Sequence, residues 1–107
     1  MHGVNINPMK KPSPYTLLRA AIKKDKIDTM DIQRFVAITV LTKDMEMNYN
    51  TLSKRLLDPS QFTVGDVYML SILLRMSPSD LYKWIEKQVD PKLVARLKAS
   101  FLEDSGM

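Results

Sequence analysis

Apolar residues along this chain recur at helical spacing in six segments, separated by short polar or proline-marked connections. In the first segment Leu17, Leu18, Ala21 and Ile22 fall on one stripe. Ser13 is placed to cap that helix, Pro14 stands at its first position where a missing N–H is no loss, and the polar run "KKDK" ends it. Asp28 or Thr29 opens the second helix. Its Ile32, Phe35, Val36, Thr39 and Val40 stand at i, i+3, i+4, i+7 and i+8, which predicts one buried face. After the polar segment "TKDMEM", Asn48 is a natural N-cap for a third helix, whose Leu52, Leu56 and Leu57 are expected to point inward. Asp58-Pro59 stops this helix, because a residue before proline is pushed out of the helical region.

Thr63 with Asp66 forms a near capping box for the fourth helix, "VGDVYMLSILLRM". That segment is apolar on most sides and is expected in the middle of a bundle. Ser77, Pro78 and Asp80 open a fifth helix that buries Leu81, Trp84 and Ile85. Asp90-Pro91 opens a sixth, with Leu93, Val94, Leu97 and Phe101 on its stripe. No segment alternates like a strand and no internal repeat is present. The expected fold is all-α, a bundle of five to six helices. Residues 1–13, with Pro8, Pro12 and the Lys10-Lys11 pair, have neither period and read as a flexible basic N-terminal arm. The helical domain then covers residues 14–88, and 89–107 form a C-terminal helix and tail.

Composition narrows the chemistry. A chain of 107 residues with 45% hydrophobic content and three glycines suits one small ordered domain. The absence of cysteine excludes disulfides, thiolate metal sites and a cysteine nucleophile. His2, the single histidine, lies in the arm and gives a histidine metal site or a Ser–His pair nothing to build on. Asp28 and Asp31 sit together at a helix start, where the helix dipole accommodates them without any acid–base role. With no glycine-rich phosphate loop either, neither catalysis, nor a cofactor, nor a metal, nor a small-molecule substrate is expected. No apolar run reaches membrane length and no export signal opens the chain, so no membrane association is expected and the cytoplasm is the expected compartment.

Charge is unevenly placed. Of the net +4, residues 1–57 carry ten Lys and Arg against five Asp and Glu, and the remainder six against seven. A one-sided positive field suits a polyanion such as nucleic acid, or an acidic membrane surface; a merely solvated face is the plainer alternative. The third helix sharpens the choice. With Leu52 and Leu56 inward, Tyr49, Asn50, Ser53 and Lys54 share the outer face, with Asn48 and Thr51 beside them at the first turn. Such side chains read base edges in a major groove: Asn pairs with adenine, Lys reaches guanine acceptors, Ser bonds either. Lys43, Thr51, Arg55, and Lys10 and Lys11 of the arm are candidate phosphate contacts, which position a protein without reading sequence. Asn48 acting only as a cap, with solvated neighbours, is the competing reading.

The segment "MNYNTLSKRLLDPSQFTVGDVYMLSILLRMSPSDLYKWI" resembles the second half of a lambda-repressor-like (Xre-type) helix-turn-helix domain of bacterial and prophage regulators. The shared features are a Thr-Leu-x-x-Arg-Leu helix, Asp-Pro, Phe-Thr, a long apolar helix and a final Ser-Pro-x-x-Leu helix. The likeness covers roughly residues 14–88. It implies that Asn48, Tyr49, Asn50, Ser53 and Lys54 enter the major groove of double-stranded DNA, and that the chain acts as a dimeric transcriptional regulator of phage or mobile-element character. The surfaces of the fourth and sixth helices, including Met69, Ile72, Leu73 and Met76, are the candidate homodimer contact. One spacing departs from the family. Ile27 to Asn48 is longer than a three- or four-residue turn allows, and "TKDMEMN" lacks glycine, so the second helix is expected to be extended at its C-terminal end. That departure keeps open a second function, a helical protein-interaction module that retains the fold without binding DNA, which would expose Met69, Ile72, Leu73 and Met76 as an apolar patch.

Overall fold

Local capping bonds set most of the element boundaries. The computed structural model describes residues 13–104, so the arm with Lys10 and Lys11 lies outside the described residues except for Ser13. Helix α1 (Pro14–Lys23) starts where Ser13 Oγ accepts the Thr16 N–H at 3.2 Å, and it buries Leu18 and Ile22. Leu17 stays half-exposed, so the inward stripe is narrower than its four apolar positions suggest.

The extended second helix is not formed. In its place a 3-10 helix (Thr29–Arg34) with a reciprocal Asp28–Asp31 capping box is followed by a break, and α2 (Ile38–Asp44) begins anew after Ala37 in extended conformation. The Asp28–Asp31 box and the bonds of Thr29 to Leu56 and Gln88 hold the first segment as a short element of its own, and Ala37, with ψ 138°, lies outside helical geometry. Restarting re-phases the buried face: Leu41 and Met45 are buried, whereas Thr39 and Val40, expected inside, face solvent.

Helix α3 (Tyr49–Leu57) buries Leu52 and Leu56, but Leu57, also expected inside, is 72% exposed. The i, i+4 pair of leucines already faces the core, and Leu57 lies a further 100° around the helix. Asp58 then caps a short 3-10 turn (Pro59–Gln61), and the hydrogen bond from the Ser60 hydroxyl, at 2.6 Å, holds its carboxyl below the usual range.

Helix α4 (Val64–Leu74) packs against α1 and α5 and buries Val67, Leu70 and Leu74. It is flanked rather than surrounded: Val64, Tyr68 and Ile72, at i, i+4 and i+8, are all more than half exposed. Helix α5 (Pro78–Glu86) buries Leu81, Trp84 and Ile85 as its spacing predicts. In α6 (Pro91–Asp104) Leu93 and Val94 are half-buried and Leu97 is exposed. Among the described residues the chain is thus all-α, with six α-helices and no strand. No helix there is long and apolar enough to cross a membrane.

Candidate nucleic-acid interface

Two helices and a short turn form the centre of this region. After α2, Glu46 takes a left-handed conformation with φ 55°. Its N–H bonds the Lys43 carbonyl at 3.2 Å while the Met47 N–H reaches back to the Thr42 carbonyl at 3.0 Å. This crossed pair is a Schellman ending, which satisfies the last carbonyls of α2 and reverses the chain within residues 45–48. The glycine missing from the sequence is therefore replaced by a strained glutamate. A left-handed non-glycine residue costs about 1–2 kcal/mol, of which glycine's extra chain entropy returns part. Glu46→Gly is therefore expected to stabilise the chain by about 0.5–1 kcal/mol, seen as a rise in thermal midpoint. Loss of stability would show that the Glu46 side chain holds the turn.

Asn48 caps α3, its Oδ1 accepting the Thr51 N–H at 2.8 Å. The next two residues, Tyr49 and Asn50, are exposed, as is Lys54 one turn further on, and Ser53 is half-exposed between them. Among the described residues Tyr49, Asn50, Ser53 and Lys54 make no side-chain hydrogen bond or ion pair. The outer face of α3 is thus a set of free amide, phenol, hydroxyl and ammonium groups. Lys43 is likewise exposed at the end of α2, while Thr51 is half-buried with its N–H engaged by the cap.

Arg55, expected as a phosphate contact, is engaged within the chain. Its Nη1 lies 2.7 Å from Asp66 Oδ2, and the two side chains are only 24% and 10% exposed. The same carboxylate oxygen accepts the Thr63 N–H at 2.9 Å, closing the capping box of α4. Arg55 therefore clamps α3 to the start of α4 and is turned inward, away from the outer face.

Two further anchors hold the unit. Tyr15 Oη donates to Asp44 Oδ2 at 2.6 Å, tying the first turn of α1 to the last residue of α2. Burial, and secondarily that bond, push the Tyr15 phenol well above its ordinary range. The neutral donor is favoured, so its contribution is present below the unfolded pKa of about 10 and is lost as pH rises past it. Thr29 is buried, its Oγ1 donating to the Leu56 carbonyl and its N–H to Gln88 Oε1, both at 2.7 Å. These bonds join the 3-10 helix, the end of α3 and the residues after α5.

Tyr15, Asp44, Glu46 and Asp66 were not among the sequence-derived site residues, yet they fix how α2 and α3 sit. Only the Thr63–Asp66 spacing signalled any of them in advance. Of the expected apolar patch, Met69, Leu73 and Met76 are half-buried against the core and Ile72 alone is exposed. The described residues contain no group of His, Cys, Asp or Glu side chains arranged to hold a metal ion. Comparison with protein-family models, curated proteins and solved structures finds no match to this chain.

Proposed function

We propose that α2, its tight turn and α3 act as a helix-turn-helix that docks in the major groove of double-stranded DNA, in a small sequence-specific transcriptional regulator of lambda-repressor-like, prophage or mobile-element character. The observation that carries this reading is the outer face of α3, where Tyr49, Asn50, Ser53 and Lys54 project without internal partners from a helix anchored on its inner side. A protein pays to keep such a polar set unsatisfied by its own chain only in the sense that water or a ligand satisfies it, and a major groove offers complementary donors and acceptors. The four-residue turn supports the same reading, because with α2 restarting at Ile38 the connection into α3 has the length that a helix-turn-helix requires.

In this mode Tyr49, Asn50 and Ser53 meet base edges, with Asn48 primarily a cap. Lys43 and Lys54 meet phosphates on either side. The Tyr15–Asp44 bond brings the start of α1 beside the end of α2, and Lys10 and Lys11, which lie outside the described residues, are two further phosphate contacts of this reading. Arg55 acts by fixing the tilt of α3 and makes no phosphate contact.

The roles separate by mutation. On a site selected from random duplexes, Asn50→Ala is expected to lose about 1–3 kcal/mol of binding while leaving affinity for unrelated duplex nearly unchanged. Lys54→Ala is expected to weaken both to a similar degree. Competition fluorescence anisotropy reads the difference, and an equal loss on both duplexes for Asn50→Ala would remove it from base recognition.

A further inference from the structure

Where α1 ends against α5, the chain forms a recess of about 200 Å³ that shares no residue with the outer face of α3. Three lysines and two aspartates line it together with Trp84 and Met76. Lys87 Nζ closes on Asp25 Oδ2 at 2.7 Å and neutralises one of these pairs. That leaves Lys23, from the last turn of α1, and Lys83, from α5, with no ion pair among the described residues and Asp80 as the remaining carboxylate. Two ammonium groups drawn to one concavity from different helices repel one another unless an anion sits between them.

Trp84 adds a second and independent signal. It is 4% exposed, and its indole N–H, which can only donate, has no acceptor among the described residues. Most buried donors are satisfied, so one that is not calls for an ion or a functional role. Bulk water does not touch Nε1, but Met76, which shares the lining, is half-buried and unbranched, and its thioether chain can re-pack to admit one oxygen.

We propose that this recess binds the phosphate group of a small ligand, with Lys23 and Lys83 holding its charge and the Trp84 N–H bonding one oxygen. The side chains choose phosphate over a carboxylate. Lysines serve phosphate as point charges, whereas no arginine fork, the usual partner of a planar carboxylate, lines the recess. Asp80 fits the same ligand, because phosphate near neutral pH still carries an exchangeable proton and a carboxylate accepts it in a hydrogen bond. Size fits as well: at about 30 Å³ per water, the space holds a phosphate group with a few waters. The site stands independently of the DNA-binding reading.

Trp84 is the only tryptophan, so it reports on the recess without a label. Titrating the full chain with inorganic phosphate, at ionic strength held constant with chloride, is expected to change the indole emission saturably and to move the single indole N–H resonance in a proton–nitrogen NMR spectrum. Lys23→Gln and Lys83→Gln alter exposed side chains, so the circular dichroism spectrum should not change. Each is expected to weaken phosphate binding about tenfold or more, the loss of one charge-assisted bond. Lys26→Gln, outside the recess, is expected to bind as wild type does. Sulfate, which has no proton to give Asp80, should bind more weakly, and added duplex DNA should leave the phosphate titration unchanged. The absence of a saturable response, equal losses in Lys26→Gln and Lys83→Gln, sulfate binding as tight as phosphate, or displacement of phosphate by duplex DNA would each overturn the proposal.

Discussion

Truncating Leu52 to alanine is expected to destabilise the chain by about 2–5 kcal/mol, the range for emptying a filled leucine site in a close-packed core. Leu52 is fully buried on the inner face of α3, which packs on α2 and on the 3-10 helix Thr29–Arg34. Its loss opens a cavity where these elements meet, and each can shift only by breaking bonds elsewhere. Thr29 is held to Leu56 and Gln88, and Asp44 to Tyr15. Collapse around the cavity is therefore restricted, which favours the upper part of the range. Urea denaturation should show a lower midpoint with an unchanged slope. Leu57→Ala is the control, because that side chain is 72% exposed and should change stability by no more than about 0.5 kcal/mol. Comparable losses at both positions would contradict the orientation of α3.

Replacing Asp66 with alanine is expected to cost about 2–4 kcal/mol, most of it through one oxygen. Asp66 Oδ2 accepts both the Arg55 guanidinium at 2.7 Å and the Thr63 N–H at 2.9 Å. Losing the reciprocal cap removes about 1 kcal/mol, and losing a charge-assisted hydrogen bond removes about 1.5–3 kcal/mol. The total stays below that of a fully buried broken pair because Arg55, 24% exposed, can turn toward water. A double-mutant cycle with Arg55→Ala isolates the pair, and a coupling of at least about 1 kcal/mol is expected. Additive losses would show that Asp66 acts only as a cap. Because the pair joins α3 to α4, Asp66→Ala should also weaken binding to DNA although it removes a negative charge, an effect opposite in sign to simple electrostatics.

The features legible in the sequence were those whose causes lie within a few residues. Ser13, Asn48, Thr63 with Asp66, and Ser77 all cap the helices they were expected to cap, since each such bond spans three residues. Leu52 and Leu56 fixed the phase of α3 and with it the outer face. What periodicity could not show was the break after Arg34. The apolar spacing from Ile32 to Val40 fits one helix, whereas the 3-10 helix that stands there first is tied through Thr29 to residues 27 and 59 positions away. The same limit hid the role of Arg55, because its partner stands on another helix, and the role of Tyr15, whose partner lies 29 residues on. The turn is hidden for another reason: glycine is the usual sequence mark of a left-handed residue, and Glu46 adopts that conformation without it.

Binding of the full chain to random duplex DNA, followed by fluorescence anisotropy across a salt titration, tests the helix-turn-helix reading most directly. Four cations, Lys10, Lys11, Lys43 and Lys54, at about −0.9 each give an expected slope of log K against log salt of about −3.6 per chain, doubled where a dimer engages. That slope, reduced by about one unit in Lys54→Ala, is the expected result. Absence of binding even at low salt would contradict it and leave the free polar face of α3 for a protein partner.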